Sequence, residues 1–235
     1  FDTSLIFSSG FRHQQTEFQG RSEVNTNVSG FAYTSFHPSY NMRGENTAFN
    51  LGIEKKIDPF TSIFVRHSKS FRTPNIDERI KATNSGSLVL KDQTSEDIEL
   101  GIRSDRNKTE FVASVFSMDT KNEIQYNQTV NTNLDPIKRN GLNLDLKYQI
   151  NDSSNLKASL SYIKAEFTSG SLTPGEGGSS ACDYTNTTYC SNSSTWKTLM
   201  GGGVSYSLSG KSVPLVAPLH YNVLIENKIS ASTFF

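Results

Sequence analysis

The feature that most constrains this chain is alternation. Apolar and polar side chains exchange places residue by residue in packets of strand length, and no stretch sustains a helical period. The clearest packet is RNGLNLDLKYQI. Leu142, Leu144, Leu146 and Tyr148 share one face, and Asn143, Asp145 and Lys147 share the other. Successive side chains of a strand point to opposite faces, so this strand is greasy on one side and wet on the other. EDIELGIRSD repeats the pattern, with Ile98, Leu100 and Ile102 against Glu99, Gly101 and Arg103. NTAFNLGIEKK, SNLKASLSYIK and HYNVLIENK do the same through Phe49, Leu51 and Ile53, through Leu156, Leu160 and Tyr162, and through Tyr221, Val223 and Ile225. Near the start Leu5, Phe7 and Phe11 alternate with Ser4, Ser8 and Arg12, and Ile6 breaks the pattern. TEFVASVFSMD is apolar on both faces, which leaves its outer side unassigned.

The connections alternate too. KIDPF (56–60), SDRNK (104–108) and NDSSN (151–155) are tight turns rich in Asp, Asn, Pro and Ser. Between them lie long segments, 15–45, 72–95, 127–138 and 169–217. Long loops at every second connection of a meander all lie at one end, and the tight turns at the other. A transmembrane barrel has this asymmetry, with short periplasmic turns and long extracellular loops. The expected fold is therefore all-β: an antiparallel up-and-down transmembrane β-barrel segment of about eight strands. A soluble β-sandwich also alternates inside and out, and stays open as a second architecture. A complete small barrel is a third.

Composition removes other classes. Lys plus Arg is 23 and Asp plus Glu is 23, so the formal charge is zero and no basic surplus invites nucleic acid. No apolar run approaches the ~18 residues of a membrane-spanning helix, which says nothing against strands. Cys182 and Cys190 sit in a Gly/Ser/Asn-rich stretch, where a local disulfide in an oxidising compartment is favoured over free thiols. His13, His37, His67 and His220 are scattered and do not make a metal site. No G-x-S-x-G elbow is present, and GEGGSS neither follows a strand nor opens a helix, so no enzyme is expected.

One stretch is recognisable. VRHSKSFRTPNIDERI resembles the segment of TonB-dependent outer-membrane receptors in which a strand rises to the cell surface and ends in an S-x-x-F-R-x-P-N-x-x-E rim. TSEDIELGIRSD resembles the family's E-x-G strand, with Glu99 and Gly101. VFSMDTKNEIQYN and IKRNGLNLDLKYQI resemble the next up- and down-strands, with Asn122, Glu123, Ile124 and Gly141. GKSVPLVAPLHYNV resembles the V-P-L-x-P-x-H approach to a further strand, through Val213, Pro214, Leu215, Pro218 and His220, with one residue more than the commoner form. Some 40 residues, about as many as lie between EFTSG and GKSVPL, intervene where many relatives are shorter.

The resemblance implies that residues 1–235 are a partial receptor barrel domain, with the plug domain and remaining strands outside it. It implies a bacterial outer-membrane location, no cofactor, no catalysis, and uptake of a scarce nutrient such as an iron chelate (siderophore), haem or cobalamin. Its implied partners are that small nutrient, outer-membrane lipid, and the TonB complex acting through the missing plug and TonB box. The rim residues would be Phe71 and Arg72 at the top of an up-strand, Pro74 ending the ladder, and Asn75, Asp77, Glu78 and Arg79 tying the loop to plug or barrel. The plainer reading, a structural corner without ligand contact, is preferred. Candidate ligand contacts are Tyr33, His37, Tyr40 and Arg43, with Phe36, in the first long loop, and Tyr189 and Trp196 beside the cysteines. Against them stands simple packing of each loop on itself. Two other functions stay open: a secreted or surface binding module (adhesin or glycan binder), and a small closed outer-membrane barrel.

Overall fold

The computed structural model describes residues 4–20, 23–24, 35–36, 40–80, 90–126, 131–172 and 206–228. In chain order its elements are β1 (Leu5–Gly20), β2 (Glu23–Val24), β3 (Ser35–Phe36), β4 (Tyr40–Lys56), β5 (Thr61–Arg72), the one-turn helix α1 (Ile76–Ile80), β6 (Gln93–Arg106), β7 (Thr109–Lys121), β8 (Ile124–Tyr126), β9 (Asn131–Asn133), β10 (Ile137–Asn151), β11 (Ser154–Phe167), β12 (Ser171–Leu172), β13 (Tyr206–Ser207) and β14 (Leu219–Asn227). The long strands form one eight-stranded sheet in the order β1-β4-β5-β6-β7-β10-β11-β14. Each long strand pairs antiparallel with the next one along the chain, as in an up-and-down meander. Strands β1 and β14 are not paired with each other, so the sheet is open.

The tight turns behave as their residues dictate. Asp58 Oδ1 accepts the N–H groups of Phe60 and Thr61, both at 2.8 Å, and closes the β4–β5 turn. The Phe60 N–H is foremost in holding the Asp58 carboxyl below its ordinary pKa range. Asn107 turns β6 into β7 at φ 56°, the left-handed region that Asn tolerates. Asn151 Oδ1 accepts the Ser153 N–H between β10 and β11. The ribbons β2·β3, β8·β9 and β12·β13, together with α1, all lie on the connections at the opposite end.

Strands β1 and β4 run to Gly20 and from Tyr40, further than apolar alternation reaches, so the first long connection is shorter than 15–45. The ladder is made by backbone groups, and it continues through Glu17↔Arg43 and Gln19↔Asn41 although those side chains are polar.

The register lines the apolar side chains into rungs. One rung crosses the whole sheet as Phe7, Ile53, Val65, Leu100, Val115, Leu142, Tyr162 and Leu219. Most of these are exposed, and Phe7 keeps 69% of its surface. Among the described residues no second sheet covers this face; the other sheets are two-stranded ribbons. A sandwich would have buried it. The buried apolar cluster is small and lies at the long-loop end, where Ile137, Ala165, Phe167 and Val213 meet. It pins the approach to β14 against β11, and the Val213 N–H donates to the Ala165 carbonyl at 3.0 Å.

The band slopes. On β14 it runs from Ile225 up to Leu219, but on β1 it starts at Leu5, just below the rung-mate Phe7, and reaches Phe11 above it. Both borders climb in the same sense from β14 to β1, as happens when strands are tilted in a membrane.

The other face is polar and internally paired. Arg66 meets Glu99 at 3.0 Å and Asp97 at 3.5 Å. Ser62 donates to Glu54 at 2.6 Å, Lys147 meets Glu110 at 2.5 Å, and Lys157 meets Glu226 at 2.9 Å. Here β7, with its two apolar sides, is resolved. Phe111, Ala113 and Val115 join the apolar rungs, and Phe116 lies on the polar face over its ladder partner Gly141. Phe64 covers Gly101 in the same way. A side chain at either glycine would collide with that ring.

Two outcomes follow. Leu144→Arg, mid-band, should cost a complete barrel about 2–4 kcal/mol in lipid vesicles, while Ser159→Arg on the polar face should stay within about 0.5 kcal/mol. Equal losses in urea unfolding would contradict the face assignment. Gly101→Ala should destabilise by about 1–3 kcal/mol. Adding Phe64→Ala should restore only part of this, because the Ala113 carbonyl lies 2.8 Å from the position of the new Cβ.

Candidate functional site

Strand β5 ends at Arg72, two residues before Pro74, which has no N–H to give a ladder. Pro74 is buried, and α1 starts at Ile76. Asn75 and Glu78 cap that helix reciprocally. The Glu78 N–H donates to Asn75 Oδ1 at 2.8 Å, and the Asn75 N–H donates to Glu78 Oε2 at 2.9 Å. This is a capping box with Asn as the cap. The signal N-x-x-E is legible at 75–78, yet the helix is absent from the sequence-based expectation.

The rim residues do not act alone. Arg72 donates to Glu78 Oε1 at 2.7 Å and reaches Gln93 on β6 at 3.5 Å. Arg79 is buried: it donates to the Leu90 carbonyl at 3.3 Å, approaches Asp92 at 3.8 Å, and lies 5.4 Å from the Phe18 ring centre on β1. Asp92 in turn accepts from Asn46 on β4. Phe71 carries the Arg12 guanidinium at 5.0 Å. Asp77 is exposed on the first turn of α1, where its charge suits the helix N-terminus.

A second connection joins the same knot. Asn131 donates to the Glu78 carbonyl at 3.0 Å. Asn133 accepts the Lys91 N–H at 2.8 Å and donates to the Lys91 carbonyl at 3.0 Å. Beneath it Arg139 meets Glu123 at 2.6 Å and Thr120 at 3.1 Å. The loops after β5 and β7 are thus tied to each other and to β1 and β4. Asp92, Asn131, Asn133 and Arg139 carry these ties, and none was singled out from sequence. Their partners are distant in the chain, and a lone Asn gives no local signal.

The other candidates fare differently. Arg43 stands at the top of β4 and meets Glu17 at 3.5 Å. Tyr40 begins the same strand. Tyr33, His37, Tyr189 and Trp196, and the pair Cys182 and Cys190, lie outside the described residues. Among the described residues no three His, Cys, Asp or Glu side chains gather as metal ligands, and no helix is long and apolar enough to cross a membrane.

The chain matches the family model described as TonB dependent receptor-like, beta-barrel, over residues 1–222. A comparison with curated proteins gave no match. Among solved structures it is similar to the siderophore receptor PiuA from Acinetobacter baumannii (TM-score 0.60, 16% identity, 96% of this chain and 29% of that one). It is similar to the copper transporter OprC (TM-score 0.57, 17% identity, 69% of this chain and 27% of that one). The ferric-catecholate import receptor Fiu from K12 E. coli also resembles it (TM-score 0.54, 15% identity, 74% of this chain and 27% of that one). The chain therefore spans under a third of the length of these proteins, and at such identities the likeness is one of fold.

Glu78 gives the rim a pH signature. Burial acts to raise its pKa, but the Arg72 hydrogen bond, the Asn75 N–H and the charges of Arg72 and Arg79 together hold it below the ordinary carboxylate range. The folded pKa is depressed, so the stabilisation is present above the unfolded value of about 4.3 and is lost as pH falls through the folded value. Amide protection in α1, taken against the intrinsic exchange rate at each pH, should fall over that acid window in the wild type. Glu78→Gln should show faster exchange already at neutral pH, with a loss of about 1 kcal/mol for a weakened cap. Identical exchange in both proteins at pH 7 would refute the capping role.

Proposed function

Because this chain belongs to the TonB-dependent receptor β-barrel family, we propose that residues 1–235 are a stretch of the barrel domain of a longer receptor that takes up an iron chelate using energy from the TonB complex. The family comprises receptors and transporters, not an enzyme class, and its place is the bacterial outer membrane. The observation that carries the reading is the family match across residues 1–222. The register supports it independently: one apolar rung runs unbroken over all eight strands while the opposite face is wet. On this reading the rungs meet acyl chains, and the polar face looks into the lumen.

An iron chelate is preferred as cargo because two of the structural neighbours named above are a siderophore receptor and a ferric-catecholate receptor. Contacts to the cargo fall to the long-loop end: Tyr33 and His37 on the first connection, Tyr40 and Arg43 at the top of β4, Tyr189 and Trp196 on the last connection. The rim set Phe71, Arg72, Pro74, Asn75, Asp77, Glu78 and Arg79 shapes the mouth rather than touching cargo. The TonB complex would act on a plug that is not part of residues 1–235.

The test is accumulation of radio-iron from a ferric catecholate by cells with and without the intact gene. Loss of uptake on deletion, restored by the complete receptor but not by one lacking residues 173–205, is expected. Unchanged iron uptake with loss of copper uptake would replace the cargo. A product that stays in the aqueous phase without detergent would favour a surface binding module instead.

A further inference from the structure

We infer that Arg12, set against Phe71 on the wet side of the sheet, is the binding residue of an oxyanion subsite. It takes the carboxylate or phenolate oxygens of a group that the described residues do not supply. That group has two possible sources: the anionic edge of the cargo, which rests on the uptake reading proposed above, or an acidic side chain elsewhere in the complete receptor. The alternation that turns Phe7 and Phe11 outward turns Arg12 to the wet face, opposite Ala48. The other arginines on that face of the long strands are matched one by one. Arg66 meets Glu99 at 3.0 Å, Arg72 meets Glu78 at 2.7 Å, Arg103 meets Glu54 at 3.8 Å and Arg139 meets Glu123 at 2.6 Å. Among the described residues Arg12 is the member of this set without a carboxylate.

Arg12 is nonetheless held in place. The β4–β5 ladder ends at Phe49↔Lys69, and just past that end the Phe71 ring centre lies 5.0 Å from the Arg12 guanidinium. One Arg12 N–H donates to Gln14 Oε1, and Gln14 in turn donates to Thr16 at 3.1 Å. A guanidinium lying over a ring still has edge N–H groups to give, in the fork that matches two oxygens of one anion. Beside it opens a recess of about 370 Å³ whose walls include Gly10, Ala48, Asn50, Arg66 and Ser70. Its floor is low, because Gly10 has no side chain and Ala48 only a methyl group. No carboxylate lines it. Asp97 accepts from Ser68 and meets Arg66 at 3.5 Å, and Glu99 meets Arg66 from the same strand, so both acids are engaged on the β6 side. Arg66 is thereby neutralised, and Arg12 sets the sign of the recess. The exposed Asn50 amide, which has no hydrogen-bond partner among the described residues, adds a donor. A fixed, unmatched guanidinium beside a low polar floor recognises an oxyanion rather than a cation or an apolar group.

The experiment is equilibrium binding to the complete receptor in mild detergent, with a ferric tris-catecholate trianion and a neutral ferric tris-hydroxamate as probes, alongside thermal unfolding at rising sodium chloride. If the anion is the cargo's, Arg12→Gln should weaken the trianion about tenfold and leave the neutral chelate unchanged. Phe71→Leu should reproduce part of that charge-selective loss, and Phe71→Tyr, which keeps the ring, should restore it. A merely structural role for Phe71 would weaken both probes alike. If the anion is the receptor's own carboxylate, both probes should bind Arg12→Gln as they bind wild type, and wild-type unfolding should be more salt-sensitive than that of Arg12→Gln. Equal binding of the trianion together with equal salt dependence in the two proteins overturns the subsite, and so does an equal loss of both probes in Arg12→Gln. A wild type that binds neither chelate sinks the iron reading alone, and the salt comparison then decides the subsite.

Discussion

A slip of one residue in any strand pairing would turn the apolar rungs to the wet side and the Arg66–Glu99 ladder to the oily one. Side chains repeat every second residue along a strand, so parity is all or nothing. Everything else here hangs on that register. The pairs Phe7↔Ile53, Val65↔Leu100 and Leu142↔Tyr162 agree with each other only in one alignment of the sheet. The same alignment brings Phe64 over Gly101 and Phe116 over Gly141, where a one-residue shift would set a ring against a side chain. The glycines therefore act as register marks on the wet face, and the aliphatic rungs act as register marks on the other.

The long-loop end obeys a different rule. Among the described residues its buried hydrophobic cluster is small, and polar groups there satisfy one another across loops. Glu78 serves two masters, capping α1 and holding Arg72, and Asn131 reaches its backbone from another connection. Such shared acceptors make the loops after β5 and β7 a single unit, because breaking one tie leaves a buried or half-buried polar group unmatched.

How much of this is legible in the sequence follows from range. The strands and tight turns are local properties, and alternation at 98–102 or 142–148 with Asp58, Asn107 and Asn151 at the corners is enough to read them. The sidedness of β7 is not local. It is decided by Gly141 on the neighbouring strand, which gives Phe116 somewhere to lie. The ends of β1 and β4 are hidden for a related reason, since backbone pairing ignores the polarity of Glu17 and Arg43. The motif at 68–80 announces a corner but not its function. The partners that make it a knot lie at positions 18, 46, 92 and 131, and no spacing rule connects them.

The slope of the apolar band has a consequence beyond the residues that show it. A membrane surface is level, but the rungs of this sheet are not parallel to it, so each strand enters the lipid slightly displaced along its neighbour. Carried around a closed wall, the displacement accumulates in one sense, and a line traced along the rungs returns to its first strand at another height. A wall closed from such a sheet is a helical ramp rather than a stack of hoops. The climb from Ile225 on β14 to Leu5 on β1 fixes which way that ramp winds.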